Sequence, residues 1–182
     1  MFSGIKYLSV ASLGVSQIFL NEDKLTNIQS WFNPSDLRNF DPLPVHDFGN
    51  GKLTLTDGHS RAFLAYTAGI DTVPVVYDLD DLVTSTTGQL LYKNDIVWCD
   101  RFKIHSVLDL KDRVISNALY KDLWIDRCDK AYALLTQSTE LQRKKWQSMY
   151  LDLYLYGANE DVSLLFFEDE LGNSFTIQAA HN

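Results

Sequence analysis

Positive charge is scarce in this chain of 182 residues: 16 Lys and Arg stand against 24 Asp and Glu, a formal net charge of −8. An extended duplex-DNA footprint needs clustered cations, so duplex DNA is disfavoured as a partner, although a local basic pocket for a phosphate is not. Cysteine is nearly absent. Cys99 and Cys128 are the two present, too few for a disulfide scaffold, and they read as thiols of a reducing cytoplasm. No apolar run reaches the length of a membrane span, and the first residues lack the basic start and apolar stretch of a signal peptide. The expectation is a cytoplasmic protein with no membrane contact. No internal repeat or low-complexity tract is visible. Hydrophobic residues make up 46% of the chain, enough for a core of one sizeable domain or of a small domain with an appendage.

Along the chain, "IKYLSVASL" reads as a first strand. A helix follows, with Leu25, Ile28 and Phe32 at spacings of three and four, Asn21 as its N-cap, and Glu22 and Asp23 in the first turn, where the helix dipole favours acids. Prolines 34, 42 and 44 then break regular structure. "PVHDFGNGKLTLTD" reads as a β-hairpin turning at Asn50-Gly51. Next comes "KLTLTDGHSRAFLAYTAGIDTVPVVYD": strand, polar turn, helix ending at Gly69, apolar strand. After Asp81 the texture changes. "VTSTTG" reads as a polar joint, and "SVLDLKDRVIS", "ALYKDLWIDRCDKAYALLTQ" and "ELQRKKWQSMYLDLYLYG" as helices, with Leu119, Leu123, Ile125, Cys128 and Tyr132 as a loose helical face. "DVSLLFFEDELGNSFTIQA" reads as a terminal hairpin turning at Gly172-Asn173. The domain division expected is 1–81 and 82–182.

The turn Asp57-Gly58-His59-Ser60-Arg61 carries the chemistry. A helix beginning near Ser60 leaves its first N–H groups without intrahelical partners and its positive dipole end outward, an anion site. Gly58 lets a ligand approach the backbone. Arg61 can fork two hydrogen bonds onto a phosphate or carboxylate, Ser60 offers a hydroxyl, and His59 can shuttle a proton near neutral pH. Asp57 suits an anion site only if it holds Mg²⁺, orients His59 or receives a substrate proton. The plainer reading keeps Asp57 as a turn-bracing acceptor and Arg61 as the partner of a surface carboxylate.

The set Ser16-Gln17-Ile18, the helix through Lys24 and Leu25, Pro44-Val45, Asp57 to Arg61, Ala68-Gly69 and Val73-Pro74-Val75 resembles the ParB/sulfiredoxin-like superfamily over roughly Ile5 to Leu79. The resemblance implies an α+β fold, a small mixed sheet with helices, followed here by a mostly helical extension ending in a β-hairpin. In sulfiredoxins the reactive cysteine stands where His59 stands, so sulfinic-acid repair is not implied. Only Gly58 and Arg61 match the turn of chromosome-partitioning ParB proteins, and no helix-turn-helix follows Asp81, so a ParB-type DNA-associated role is disfavoured. The turn is closest to the free serine kinase branch. That branch implies Glu22 as catalytic base, with Asp23 the neighbouring candidate. It places Asp57 and His59 beside a transferring phosphoryl group and Gly58, Ser60 and Arg61 around the phosphates of a nucleotide (ATP, ADP and CTP not distinguished) with Mg²⁺. The function so implied is nucleotide or phosphate binding, with phosphotransfer or nucleotide hydrolysis on a small polar substrate. The alternative is a non-catalytic nucleotide-sensing or protein-interaction module.

His46, on the strand before the hairpin turn, is a candidate to line the same pocket; an edge-strand surface histidine is its bland alternative. Cys99, His105 and Cys128 match no compact zinc spacing. Arg143, Lys144 and Lys145 beside Trp146 read as a solvated helix face. Trp98, Trp124, Trp146, Tyr150, Tyr154 and Tyr156 concentrate in the extension, as a cap over the pocket or as a homodimer or protein-partner surface. The stretch from Leu91 to Cys128 resembles a bacterial family that carries such an extension behind a ParB-like domain.

Overall fold

A four-stranded mixed sheet positions the turn. The structure, a computed structural model, describes residues 4–137, 164–168 and 174–178. Strands β1 (Lys6–Ser9), β3 (Leu43–Asp47), β4 (Leu53–Leu55) and β5 (Thr72–Tyr77) lie in the order β1-β5-β3-β4. β5 runs parallel to β3, and the outer pairings are antiparallel. Side chains alternate across a strand, so Leu43 and Val45 of β3 and Val73 and Val75 of β5 share one face, each fully buried. Helix α2 (His59–Thr67) covers that face with Ala62, Phe63 and Ala65. The chain is of the α+β class.

The free edge of β4 is closed by a strap from Leu13 to Ser16. The Gly14 N–H donates to Leu53 O at 2.8 Å, and the Leu55 N–H donates to Gly14 O at 3.0 Å. After the strap comes β2 (Leu20–Asn21), which leads into helix α1 (Glu22–Gln29). The Asn21 side chain accepts from the Lys24 N–H at 3.1 Å, the cap expected from the sequence. Leu25 is buried, and Ile28 and Phe32 pack partly against the core. α2 ends in a Schellman motif: the Ile70 N–H reaches Ala65 O at 3.0 Å, the Gly69 N–H reaches Tyr66 O at 2.9 Å, and Gly69 has φ +79°. That left-handed turn is the conformation only glycine adopts without strain.

The extension differs in detail from its expected layout. "VTSTTG" is not a joint but the end of one helix and the start of the next. α3 (Asp81–Thr84) is followed by the 16-residue α4 (Thr86–Arg101), whose N-cap Ser85 accepts from the Gly88 N–H. "SVLDLKDRVIS" is not a helix. A capping box between Ser106 and Asp109 closes a 3₁₀ turn, Val107–Leu110, and the chain then extends into β6 (Val114–Ile115), parallel to β2. α5 (Asn117–Tyr120) runs through a π-turn, Lys121–Ile125, into α6 (Asp126–Gln137). The π-turn shifts the phase of the helical face. Tyr120, Trp124, Ala131 and Leu135 are buried, whereas Leu119, Ile125 and Tyr132 are exposed. One apolar core runs across residue 81: Leu90, Trp98, Ile104, Val107, Leu110, Tyr120, Trp124 and Leu135 share a cluster with the interior of the sheet and α2.

β7 (Leu164–Glu168) and β8 (Ser174–Gln178) pair antiparallel, with Phe166 opposite Thr176. Their expected Gly172-Asn173 turn, the basic run Arg143–Lys145, Trp146 and the tyrosines at 150, 154 and 156 lie outside the described residues. Among the described residues no helix is long and apolar enough to cross a membrane.

Candidate functional site

The turn after β4 leads into α2 with Gly58 as its N-cap, at φ +78°. A Cβ on Gly58 would lie 2.7 Å from Leu43 Cδ2 and 3.0 Å from Arg61 Nη2. Glycine is therefore required twice, for the left-handed backbone and for room. Having no side chain, it cannot cap the first amides of α2 as Asn21 caps α1, and the helix opens with the positive end of its dipole uncapped.

Arg61 folds back over this opening. Its Nη1 donates to Asp41 O at 2.8 Å, and its Nη2 lies 3.7 Å from Asp57 Oδ2. Its side chain is mostly buried, whereas that of Asp57 is 72% exposed. Ser60 is buried in the first turn of the helix.

His59 is placed otherwise than a solvent-facing proton shuttle. It is buried, and its Nε2 accepts the backbone N–H of Ser16 at 3.1 Å. The neutral ring therefore carries its proton on Nδ1. The Ser16 hydroxyl donates to Leu55 O at 2.8 Å, so one residue of the strap ties both β4 and the α2 N-terminus. Burial is the main cause that pushes the imidazolium down to about 4, with the Asp57 charge opposing and Lys24 assisting. Lys24 on α1 is thus within electrostatic reach of the turn. Glu22, in the first turn of the same helix, is exposed, and α1 packs against α2.

This burial has a pH consequence. The folded pKa is depressed below 6.5, so between about pH 6.5 and pH 4 the unfolded chain binds a proton that the folded chain does not. The stabilisation is complete above the unfolded value and is lost as pH falls through this window. It amounts to roughly 3 kcal/mol at 1.4 kcal/mol per unit. Urea unfolding measured from pH 7.5 to pH 4 should show this loss. In His59→Gln, which keeps an acceptor for Ser16 but does not titrate, that part of the slope should vanish; an unchanged slope would disprove the assignment.

His46 does not join the turn. It pairs with Thr54 across the hairpin and so points away from Val45, to the face opposite α2. Its Nδ1 lies 2.8 Å from Asp78 O and its Nε2 lies 3.1 Å from Gln89 Nε2, between the rings of Phe48 and Tyr77. The period of two along a strand decides this: one residue from the core side is the wrong side of the sheet.

The extension comes close to the turn. The Tyr92 hydroxyl of α4 donates to Thr56 O at 3.2 Å. Burial chiefly raises the pKa of Tyr92 and of Tyr120, with the Asp57 charge contributing to both. The Asn21 side chain donates to Asn117 Oδ1 at 2.7 Å, fastening the α1 N-cap to α5. Of these neighbours, Asp41 acts through its carbonyl and Ser16 through its amide. A backbone contact leaves no mark of its own in sequence, and Ser16 is legible only as an anchor of the resemblance. Tyr92 and Tyr120 stand in an aromatic-rich region and were indistinguishable there from core residues. Cys99 and Cys128 are both free thiols, buried and half-buried, whose pKa values burial pushes up. Among the described residues no cluster of three His, Cys, Asp or Glu could hold a metal ion.

No family model matches the chain, and no curated protein matches it. Among solved structures, that of protein Atu1540 from Agrobacterium tumefaciens aligns with 84% of this chain and 90% of its own, at 12% identity and a TM-score of 0.39. A likeness that low carries no argument about function.

Proposed function

We propose that the N-terminus of α2 binds the phosphates of a nucleotide, in a phosphotransferase or nucleotide hydrolase acting on a small polar substrate. The observation that carries this reading is the uncapped α2 N-terminus, with the Arg61 guanidinium folded over Gly58. Unpaired helical amides and a neighbouring guanidinium are complementary to a phosphoryl group. Arg61 leaves Asp41 O or Asp57 for the ligand, and Lys24 adds a second cation. Asp57, exposed and in only a long ion pair, offers one carboxylate to a Mg²⁺ ion that keeps most of its waters, which is how Mg²⁺ usually binds beside phosphates. The occupied Nε2 and low pKa of His59 favour a positioning role, holding the strap against the turn, over proton shuttling. Glu22 keeps the role of base: it is exposed, on a helix packed against α2. The resemblance to the ParB/sulfiredoxin-like superfamily agrees with this reading and supplies its reaction class.

Titration calorimetry with ATP, ADP and CTP, each with and without Mg²⁺, tests it. Arg61→Ala should weaken the nucleotide that binds by about 1.5–3 kcal/mol, the scale of a hydrogen bond to a charged group. Unchanged affinity would remove the site from this turn. Glu22→Gln should abolish turnover while leaving nucleotide affinity intact; retained turnover would remove Glu22 from the base role.

A further inference from the structure

A cleft of about 210 Å³ opens between the strap at Gly14 and Val15, the β4 residues beside it, and the C-terminal half of α4. Its lining includes the polar residues Lys52, Thr54, Asp100 and His105, with Ile96 and Ile104 supplying apolar surface. The polar groups are held in place. Lys52 Nζ donates to His105 O at 2.6 Å, and His105 Nδ1 lies 3.2 Å from Asp100 Oδ1. Thr54 is 1% exposed, and its hydroxyl has no hydrogen-bond partner. A buried hydroxyl left unpaired is disfavoured, and native structures keep few of them.

The charges decide what fits. Lys52 and Asp100 both line the cleft, are joined through His105 and sum to zero, so neither a simple anion nor a simple cation is complementary to both. A molecule that carries a carboxylate and an ammonium group on a short apolar body meets Lys52, Asp100 and the isoleucines together. We propose that this cleft is a binding site for a small zwitterion with a short branched apolar side chain. The site is independent of the phosphate site at the α2 N-terminus.

L-Valine is the probe, with isovalerate (valine without its ammonium) and isobutylamine (valine without its carboxylate) as its two halves. Calorimetry and ligand-observed NMR on the full chain should show saturable valine binding and at least about tenfold weaker binding of each half, the effect of losing one charge-assisted hydrogen bond. Lys52→Met and Asp100→Asn should each weaken valine by a similar factor. Arg61→Ala should leave it unchanged, which separates this site from the phosphate site. Neither Lys52 nor Asp100 is a core residue, and a thermal melt confirms folding of each variant. The absence of saturable valine binding, equal binding of either half, or binding indifferent to both variants would overturn the proposal. Loss of phosphate binding alone would leave it standing.

Discussion

Arg127→Met should destabilise the fold by about 3–5 kcal/mol, the usual cost of leaving one charge of a buried pair alone. Arg127 on α6 donates through Nη2 to Asp95 on α4, and the two side chains are 13% and 6% exposed. The guanidinium also lies 4.4 Å above the centre of the Trp124 ring, a contact that methionine's thioether replaces only in part. Burial raises the Asp95 pKa although Arg127 pulls it down, so the pair gains little over two apolar residues. The double variant Asp95→Leu/Arg127→Met should accordingly recover most of the loss, ending near or above the wild type. Chemical denaturation of the wild type and three variants measures the coupling directly. A single-variant loss below about 1 kcal/mol would mean that the pair is solvated, contrary to its burial.

Gly58→Ala should cost about 2–5 kcal/mol, through two separable causes. A left-handed φ of +78° at a non-glycine residue costs about 1–2 kcal/mol. The new methyl group also meets Leu43 Cδ2 at 2.7 Å and the Arg61 guanidinium at 3.0 Å, overpacking of the kind that adds about 1–3 kcal/mol. Gly69→Ala is the internal control. Its φ is +79° with nothing within 4 Å of the added Cβ, so it should show the backbone cost alone. Equal losses at the two positions would mean that Leu43 and Arg61 yield without cost. If Arg61 yields rather than Leu43, Gly58→Ala should also weaken nucleotide binding, because the displaced guanidinium is the proposed phosphate ligand.

The parts legible in the sequence were those fixed by local chemistry. Asn21 capping α1, the hairpin around Asn50-Gly51, α2 bounded by Gly58 and Gly69, and the strand through Val73 and Val75 follow from cap, turn and alternation rules acting over a few residues. α4 escaped because its inner face carries Asn94 and Asp95, both buried, which interrupt the apolar period where the helix is most enclosed. The phase of α5 and α6 departs from the loose helical face of the sequence because the π-turn at Lys121–Ile125 displaces the regular spacing. At the candidate site, the residue types of the turn were legible, but their placement was not. His59 is held by the amide of Ser16, 43 positions away, and His46 falls outside the site by the choice of sheet face, which depends on where α2 packs.

The side-chain link from Asn21 to Asn117 joins residues 96 positions apart, beside the β2–β6 pairing. For synthesis this sets an order of events. A nascent chain that has emerged only through the DGHSR turn has neither the partner strand of β2 nor the anchor of the α1 cap, and its core still lacks Tyr120, Trp124 and Leu135. Closure of such distant contacts is slow and comes late. The N-terminal half would therefore wait, incomplete, until α6 has left the ribosome, and a fragment ending at residue 81 would be a poor substitute for the whole protein in any binding assay.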